Sequence, residues 1–147
     1  TKYLNGSWNF KLFKNDELVP KDFFKTDFGK DDWQKIPVPS NWQFHTDDFP
    51  LYTNIVYPYE INPPYMPKEY NPVGLYHREF TVDKDWNDKQ IFIHFGAVNS
   101  AFYLWINGEF VGYSEGSKTP AEFDISKYLN GSVNQLVMKV IRWSDGT

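Results

Sequence analysis

Few side chains in this sequence of 147 residues stand in a pattern that does chemistry unaided. The three histidines, His45, His77 and His94, show neither an HExxH spacing nor any other metal-ligand spacing. Cysteine is absent, which removes thiol nucleophiles, disulfides and cysteine-based zinc sites together. No G-x-S-x-G elbow occurs, and the G-Y-S-E-G run at residues 112–116 lacks the Lys and the strand-to-helix setting of a phosphate loop. Glycoside hydrolysis needs two carboxyl groups about 5–10 Å apart across a cleft. The 19 acidic residues make such a pair arithmetically available, but scattered surface carboxylates account for them better. Asp47 and Asp48 could hold a cation, yet adjacent acids in a loop are usually just solvated, and that is the expectation here. His94, in the run Ile91-Phe92-Ile93-His94-Phe95, is expected to face outward from a strand rather than to act as a buried base. Asn5-Gly6-Ser7 and Asn130-Gly131-Ser132 match glycosylation sequons and are read as turns. These patterns call for no self-contained active site and no catalytic residue in the chain.

The other chemical feature is the aromatic content: 6 Trp, 10 Tyr and 13 Phe, or 20% of the chain. Flat rings can fill a core, stack on sugars or cover an interface. Trp8, Phe80, Phe95, Trp105 and Trp143 lie in strand patterns and are expected in the core.

The elements that must position these groups fall into three zones. In residues 1–36, Trp8, Phe10 and Leu12 alternate with Asn9 and Lys11, as in a strand with one apolar face, and residues 22–32 could hold a short helical turn. The second zone, residues 37–72, carries Pro37, Pro39, Pro50, Pro58, Pro63, Pro64, Pro67 and Pro72, which exclude a helix or a run of central strands. It also carries Trp42, Phe44, Phe49, Leu51 and Tyr70, too apolar a set for a disordered tract. A long, stiff, ordered loop is therefore expected, one that is functional or packs on a neighbour.

Residues 73–147 read as all-β. Strand patterns run over 75–82, 90–95, 100–106, 109–113 and 135–143, with turn signals at 83–88, 107–108, 116–120 and 130–131. Asn107-Gly108 suits a two-residue type I′ turn, which predicts Trp105 opposite Phe110 and Leu104 opposite Val111. Many short strands with no long helical period argue for a sandwich or jelly roll, one domain in extent.

Net charge is −4, with no basic stripe, so nucleic-acid binding is disfavoured. Apolar runs of only a few residues give no membrane span. Residues 1–10 show neither a signal peptide nor an initiator Met, which suits a processed or excised piece.

A series of short motifs runs through the chain in a fixed order. Val38-Pro39-Ser40-Asn41-Trp42-Gln43 comes first, then Leu51-Tyr52-Thr53-Asn54, Tyr57-Pro58, Asn62-Pro63-Pro64 and Asn71-Pro72. Gly74-Leu75-Tyr76 follows, then V-N-S-A-F-Y-L-W at 98–105, Asn107-Gly108, Val111-Gly112-Tyr113-Ser114, P-A-E-F-D-I at 120–125 and Arg142-Trp143-Ser144-Asp145-Gly146. Singly these are weak, but together and in order they resemble the N-terminal sugar-binding domain of bacterial β-galactosidases in glycoside hydrolase family 2. One departure is Ala97, where the family commonly has Gly before V-N-S.

The resemblance implies an all-β, jelly-roll β-sandwich with a long proline-rich ordered loop. It implies one domain over residues 1–147 of a larger enzyme, whose immunoglobulin-like and TIM-barrel domains lie elsewhere. Both catalytic glutamates of the family belong to the barrel, so this chain alone is expected to be inactive. Tyr52-Thr53-Asn54 matches the family segment whose Asn reaches the active site, so the resemblance assigns Asn54 a hydrogen bond to the galactosyl unit. An amide suits vicinal hydroxyls because it both donates and accepts; read from its residue type alone, Asn54 is a turn residue bonding its own backbone. The family Asp that binds sodium and sugar follows the R-W-S-D-G motif, beyond residue 147, and Asp145 is read as structural. No cofactor is expected in this chain, while the parent enzyme would use a divalent cation (Mg) and sodium. The expected partners are a β-galactoside substrate and the parent's other domains, with the parent a homo-oligomer, and with neither nucleic acid nor membrane. Cytoplasm is the favoured compartment, with periplasm and secretion open. A stand-alone carbohydrate-binding module, a purely structural adaptor, and the equivalent domain of a β-glucuronidase or β-mannosidase are the alternatives.

Overall fold

The structure, a computed structural model, describes residues 1–51, 59–60, 62, 64–145 and 147. Among the described residues eight strands form two antiparallel sheets, joined by turns and short 3-10 segments with no α-helix. The large sheet has the order β2-β1-β3-β8-β5-β6, where β1 is Gly6–Phe13, β2 Gln34–Val38, β3 Val73–Thr81, β5 Ala101–Ile106, β6 Glu109–Glu115 and β8 Val133–Ile141. The small sheet pairs β4 (Phe92–Phe95) with β7 (Ala121–Asp124). The all-β sandwich expected from the sequence is the architecture found.

Period-2 alternation sorts the side chains of the large sheet into two clusters, because successive residues of a strand point to opposite faces. Trp8 and Phe10 of β1, Ile36 of β2, Phe102, Leu104 and Ile106 of β5, and Leu136, Met138 and Val140 of β8 share one face. The small sheet covers that face with Ile93, Phe95, Ala121 and Phe123. Val73, Leu75 and Val137 lie on the other face with Trp105 and Ile141. Here the cover is not a sheet. It is the segment 19–33, which brings Val19, Phe23, Phe24, Phe28 and Trp33. In place of the helical turn expected at 22–32 there are separate tight turns, closed by Phe23→Pro20, Lys25→Asp22, Phe28→Lys25 and Trp33→Lys30 backbone bonds.

Two strands differ from expectation. β2 was not legible because Pro37 and Pro39 break its pattern; Pro37 is tolerated because β2 is the edge strand, paired on one side only, with β1. β7 comes soon after the turn closed by the Thr119→Gly116 backbone bond and is only four residues long. The hairpin turn is as expected, with φ of 51° at Asn107 and 81° at Gly108. Trp105 pairs with Phe110, but Leu104 pairs with Gly112 and not with Val111. A β-bulge takes up Val111 as the extra residue, and that residue packs into the first cluster. Asn107 also ties the turn to buried Asn134 through a 2.7 Å side-chain bond, while Asn130 accepts from the Ser132 amide, as a turn residue should.

Of the five rings expected in the core, Trp8 and Trp143 are buried, and Phe80, Phe95 and Trp105 are half-buried against the two clusters.

Candidate functional site

One buried carboxylate organises the region where the proline-rich stretch meets the large sheet. Asp48 has a side chain 0% exposed, which corrects the expectation that it would be solvated beside Asp47. Taking a carboxylate out of water is tolerated only when it is paired and hydrogen-bonded. Asp48 accepts from Trp42 Nε1 at 2.6 Å, from the Tyr70 hydroxyl at 2.5 Å and from Arg142 Nη1 at 2.7 Å. These donors come from three separate parts of the chain. Trp42 opens a short 3-10 turn after the V-P-S-N run, Tyr70 precedes β3, and Arg142 directly follows β8. The turn that carries Trp42 and Asp48 is closed locally by Thr46, whose hydroxyl donates to the Trp42 carbonyl and accepts from the Asp48 amide.

Arg142 also donates through Nη2 to the Phe49 carbonyl at 2.9 Å, and its guanidinium lies 5.8 Å from the Phe49 ring and 5.0 Å from the Trp143 ring. Phe49 and Tyr70 stack at 6.0 Å with an interplanar angle of 6°. Tyr59 packs on Trp143 at 5.3 Å. Burial raises the Tyr70 hydroxyl to about 12, reinforced by the bond to Asp48 and that carboxylate's charge. The Trp42 ring also reaches across the sheet: a Cβ added to Gly74 would stand 2.7 Å from it and from Phe10, so this crossing needs glycine.

Around this centre Phe44, Phe49, Leu51 and Tyr65 remain exposed, by 74%, 51%, 42% and 65%. An open cleft at this end of the sandwich is lined by Asn41, Trp42, Phe44, Leu51, Arg142 and Trp143, among others. Asn54 lies outside the described residues, as does the proline-rich stretch from 52 to 58.

The other singled-out residues are placed more simply. His94 faces outward and meets Glu122 at 3.1 Å across the β4–β7 pair, as expected. Asp145 sits exposed in a turn. His77 is buried on the second face, with Nδ1 2.8 Å from Asn9 Nδ2 and its ring edge-on to Trp33. Burial, with Lys30 nearby, pulls it down to about 4. Among the described residues no cluster of three or more His, Asp or Glu is placed to hold a metal ion. None of their helices is long and apolar enough to cross a membrane.

Sequence reasoning missed Asp48 as an organising centre. The signals available were a Trp and a Tyr in the proline-rich zone, each needing a polar partner when buried, and an Arg ending an apolar strand.

The fold defines a two-sheet, all-β domain with aromatic rings and a buried ion pair gathered at one end. The family model described as "Glycosyl hydrolases family 2, sugar binding domain" matches residues 1–147, and the chain belongs to that family. It is 50% identical over 148 residues to a β-galactosidase of Priestia megaterium and 50% identical over 145 residues to one of Pectobacterium atrosepticum. In each case 98% of this chain is covered, yet the chain spans only 14% of the relative's length. Among solved structures, a β-glucuronidase from an uncultured Clostridium species superposes with a TM-score of 0.69 at 25% identity, covering 95% of this chain and 21% of that one.

Proposed function

We propose that this chain is the non-catalytic sugar-binding domain of a larger β-galactosidase that hydrolyses terminal β-D-galactosides such as lactose. Its part is to help hold the sugar while two barrel glutamates, carried elsewhere in that protein, do the chemistry. The observation that carries this reading is the 50% identity to β-galactosidases across nearly the whole chain. The equivalent domain of a β-glucuronidase is the second reading, favoured by the structural likeness, but at half the identity.

Within this proposal Asn54 contributes a hydrogen bond to a hydroxyl of the galactosyl unit. The exposed side chains of Phe44, Phe49, Leu51 and Tyr65 give the proline-rich region an apolar surface suited to meeting the other domains. A divalent cation and sodium belong to the parent enzyme. A cytoplasmic homo-oligomer is the proposed form of the parent.

The test is hydrolysis by the full-length protein of matched aryl β-galactoside and β-glucuronide substrates. A strong preference for the galactoside is expected, and a preference for the glucuronide would overturn the reading. Asn54→Ala in that protein should cost about 1–3 kcal/mol in kcat/KM, because the hydroxyl's partner is lost.

A further inference from the structure

We infer that the ring-bearing face of β5 and β6 is a saccharide-binding surface, a row of aromatic side chains that takes a β-linked galactoside chain by stacking. This rests on the reading of the domain as sugar-binding. The cleft described above opens on the first face of the large sheet, where Trp8, Met138 and Val140 line it; the row lies on the second. The 19–33 segment reaches the row at Trp105, where Phe23 and Phe24 pack. From there the rings run on toward the edge of the sheet, with Trp105 to Tyr103 at 6.1 Å, Tyr103 to Phe110 at 6.3 Å and Tyr103 to Tyr113 at 4.7 Å. Phe110 and Tyr113 are 52% and 41% exposed. Fixed polar groups stand beside these rings. Lys139 Nζ lies 4.8 Å from the centre of the Tyr103 ring and donates to Asp16 at 2.9 Å, while the Tyr113 hydroxyl donates to Glu115 at 2.6 Å.

Two other occupants fit this surface less well. A second copy paired antiparallel along the outer edge of β6 would set Glu109 of each copy against Glu115 of the other, and like charges directly opposite oppose pairing. The centre of a protein interface is depleted in Lys, Asp and Glu. Here a lysine lies over a central ring, with carboxylates beside it. A saccharide uses both kinds of group. Galactopyranose carries its axial 4-hydroxyl on one face, which leaves a patch of C–H groups to lie on a ring, while its rim hydroxyls bond to carboxylates and an ammonium. Successive units of a β-linked chain offer such patches repeatedly, as a row of rings requires. Asp16 and Glu115 against Lys139 is a charge balance that suits a neutral sugar and disfavours an anionic one such as a glucuronide.

The experiment is native affinity electrophoresis of the full-length protein in gels cast with soluble β-galactan or with dextran, an α-glucan. Isopropyl thio-β-D-galactoside is present throughout to fill the hydrolytic site. The parent should be retarded by galactan and not by dextran. Phe110→Ala combined with Tyr113→Ala removes two rings and should weaken the affinity for galactan about tenfold. Tyr113→Phe keeps the ring and should keep the retardation. Thermal unfolding measured in parallel shows which variants fold, and Tyr113→Ala decides alone should the double variant not. An unretarded parent, equal retardation by dextran, or full retardation of the variant lacking the rings would overturn the surface. Hydrolysis of an aryl β-galactoside by the parent is read separately. Intact hydrolysis without retardation overturns the surface alone, whereas a preference for the glucuronide overturns the reading of the domain and the surface with it.

Discussion

Two stretches of this chain that are mostly outside the sheets are fastened to the large sheet by opposite means. Residues 19–33 cover one face through rings. Phe24 stacks on Trp105 at 5.4 Å with an 11° interplanar angle, Phe23 meets Trp105 edge-on at 5.0 Å, and Trp33 and Val19 complete the cover. Its ion pairs, Lys11–Asp32 and Lys25–Asp22, are solvent-exposed and contribute little. Residues 42–51 and 64–71 are instead tied to the end of β8 by a buried carboxylate with three donors. Apolar contact scales with area and has no directional preference of its own. A buried charge is costly in every geometry but one. The difference separates a cover, which need only exclude water, from a fixture, which must hold a position.

The largest effect should come from breaking the fixture. Asp48→Ala leaves Arg142, 10% exposed, without its counter-charge, and should cost about 3–5 kcal/mol in urea unfolding of the 147-residue chain. Trp33→Ala removes a buried ring from the cover and should cost about 3 kcal/mol, with kcat/KM of the full-length protein unchanged. A third change tests the crossing of Trp42 over the sheet. Gly74→Ala puts a methyl 2.7 Å from Trp42 and Phe10, and should cost about 1–3 kcal/mol by overpacking.

The remaining effects are in pH, and they fall on opposite sides for the two regions. His77, under the cover, is lowered from 6.5 to about 4, so the folded state resists the proton that the unfolded state accepts. Its contribution is present above pH 6.5 and is lost as pH falls toward 4. Lys30 and Lys35 add repulsion against the charged ring, and Gln135 opposes the shift. His77→Gln should flatten the acid limb of the stability profile. Tyr70, in the fixture, is raised from 10.0 to about 12, so its contribution is present below pH 10.0 and is lost as pH rises toward 12. Tyr70→Phe should flatten the alkaline limb and leave the acid limb unchanged.

The sequence made the strands of the large sheet legible where alternation was long, as in β1, β3, β5 and β8. The edge strand β2 and the short β7 were hidden by prolines and by length. The hairpin turn was readable from Asn107-Gly108, but the bulge at Val111 was not, because one inserted residue leaves no mark in composition. The cover was invisible for a different reason: its rings follow no period, since they come from successive turns rather than a regular element. Asp48 was misread because its ionic partner lies 94 residues away, and an ion pair of that separation has no local signature. The family motifs contained both Trp42 and Arg142 without revealing that they share a carboxylate.

The central claim, that one stretch is a cover and the other a fixture, is tested most directly by a pair of variants compared in the full-length protein. Asp48→Asn keeps the shape of the fixture but removes its charge, and Phe23→Leu trims the cover. Measured as kcat/KM on a β-galactoside well below both unfolding midpoints, Asp48→Asn should fall about tenfold and Phe23→Leu should stay within about twofold of the parent. Equal kcat/KM in the two variants, whether both intact or both reduced in step with lost stability, would contradict the account.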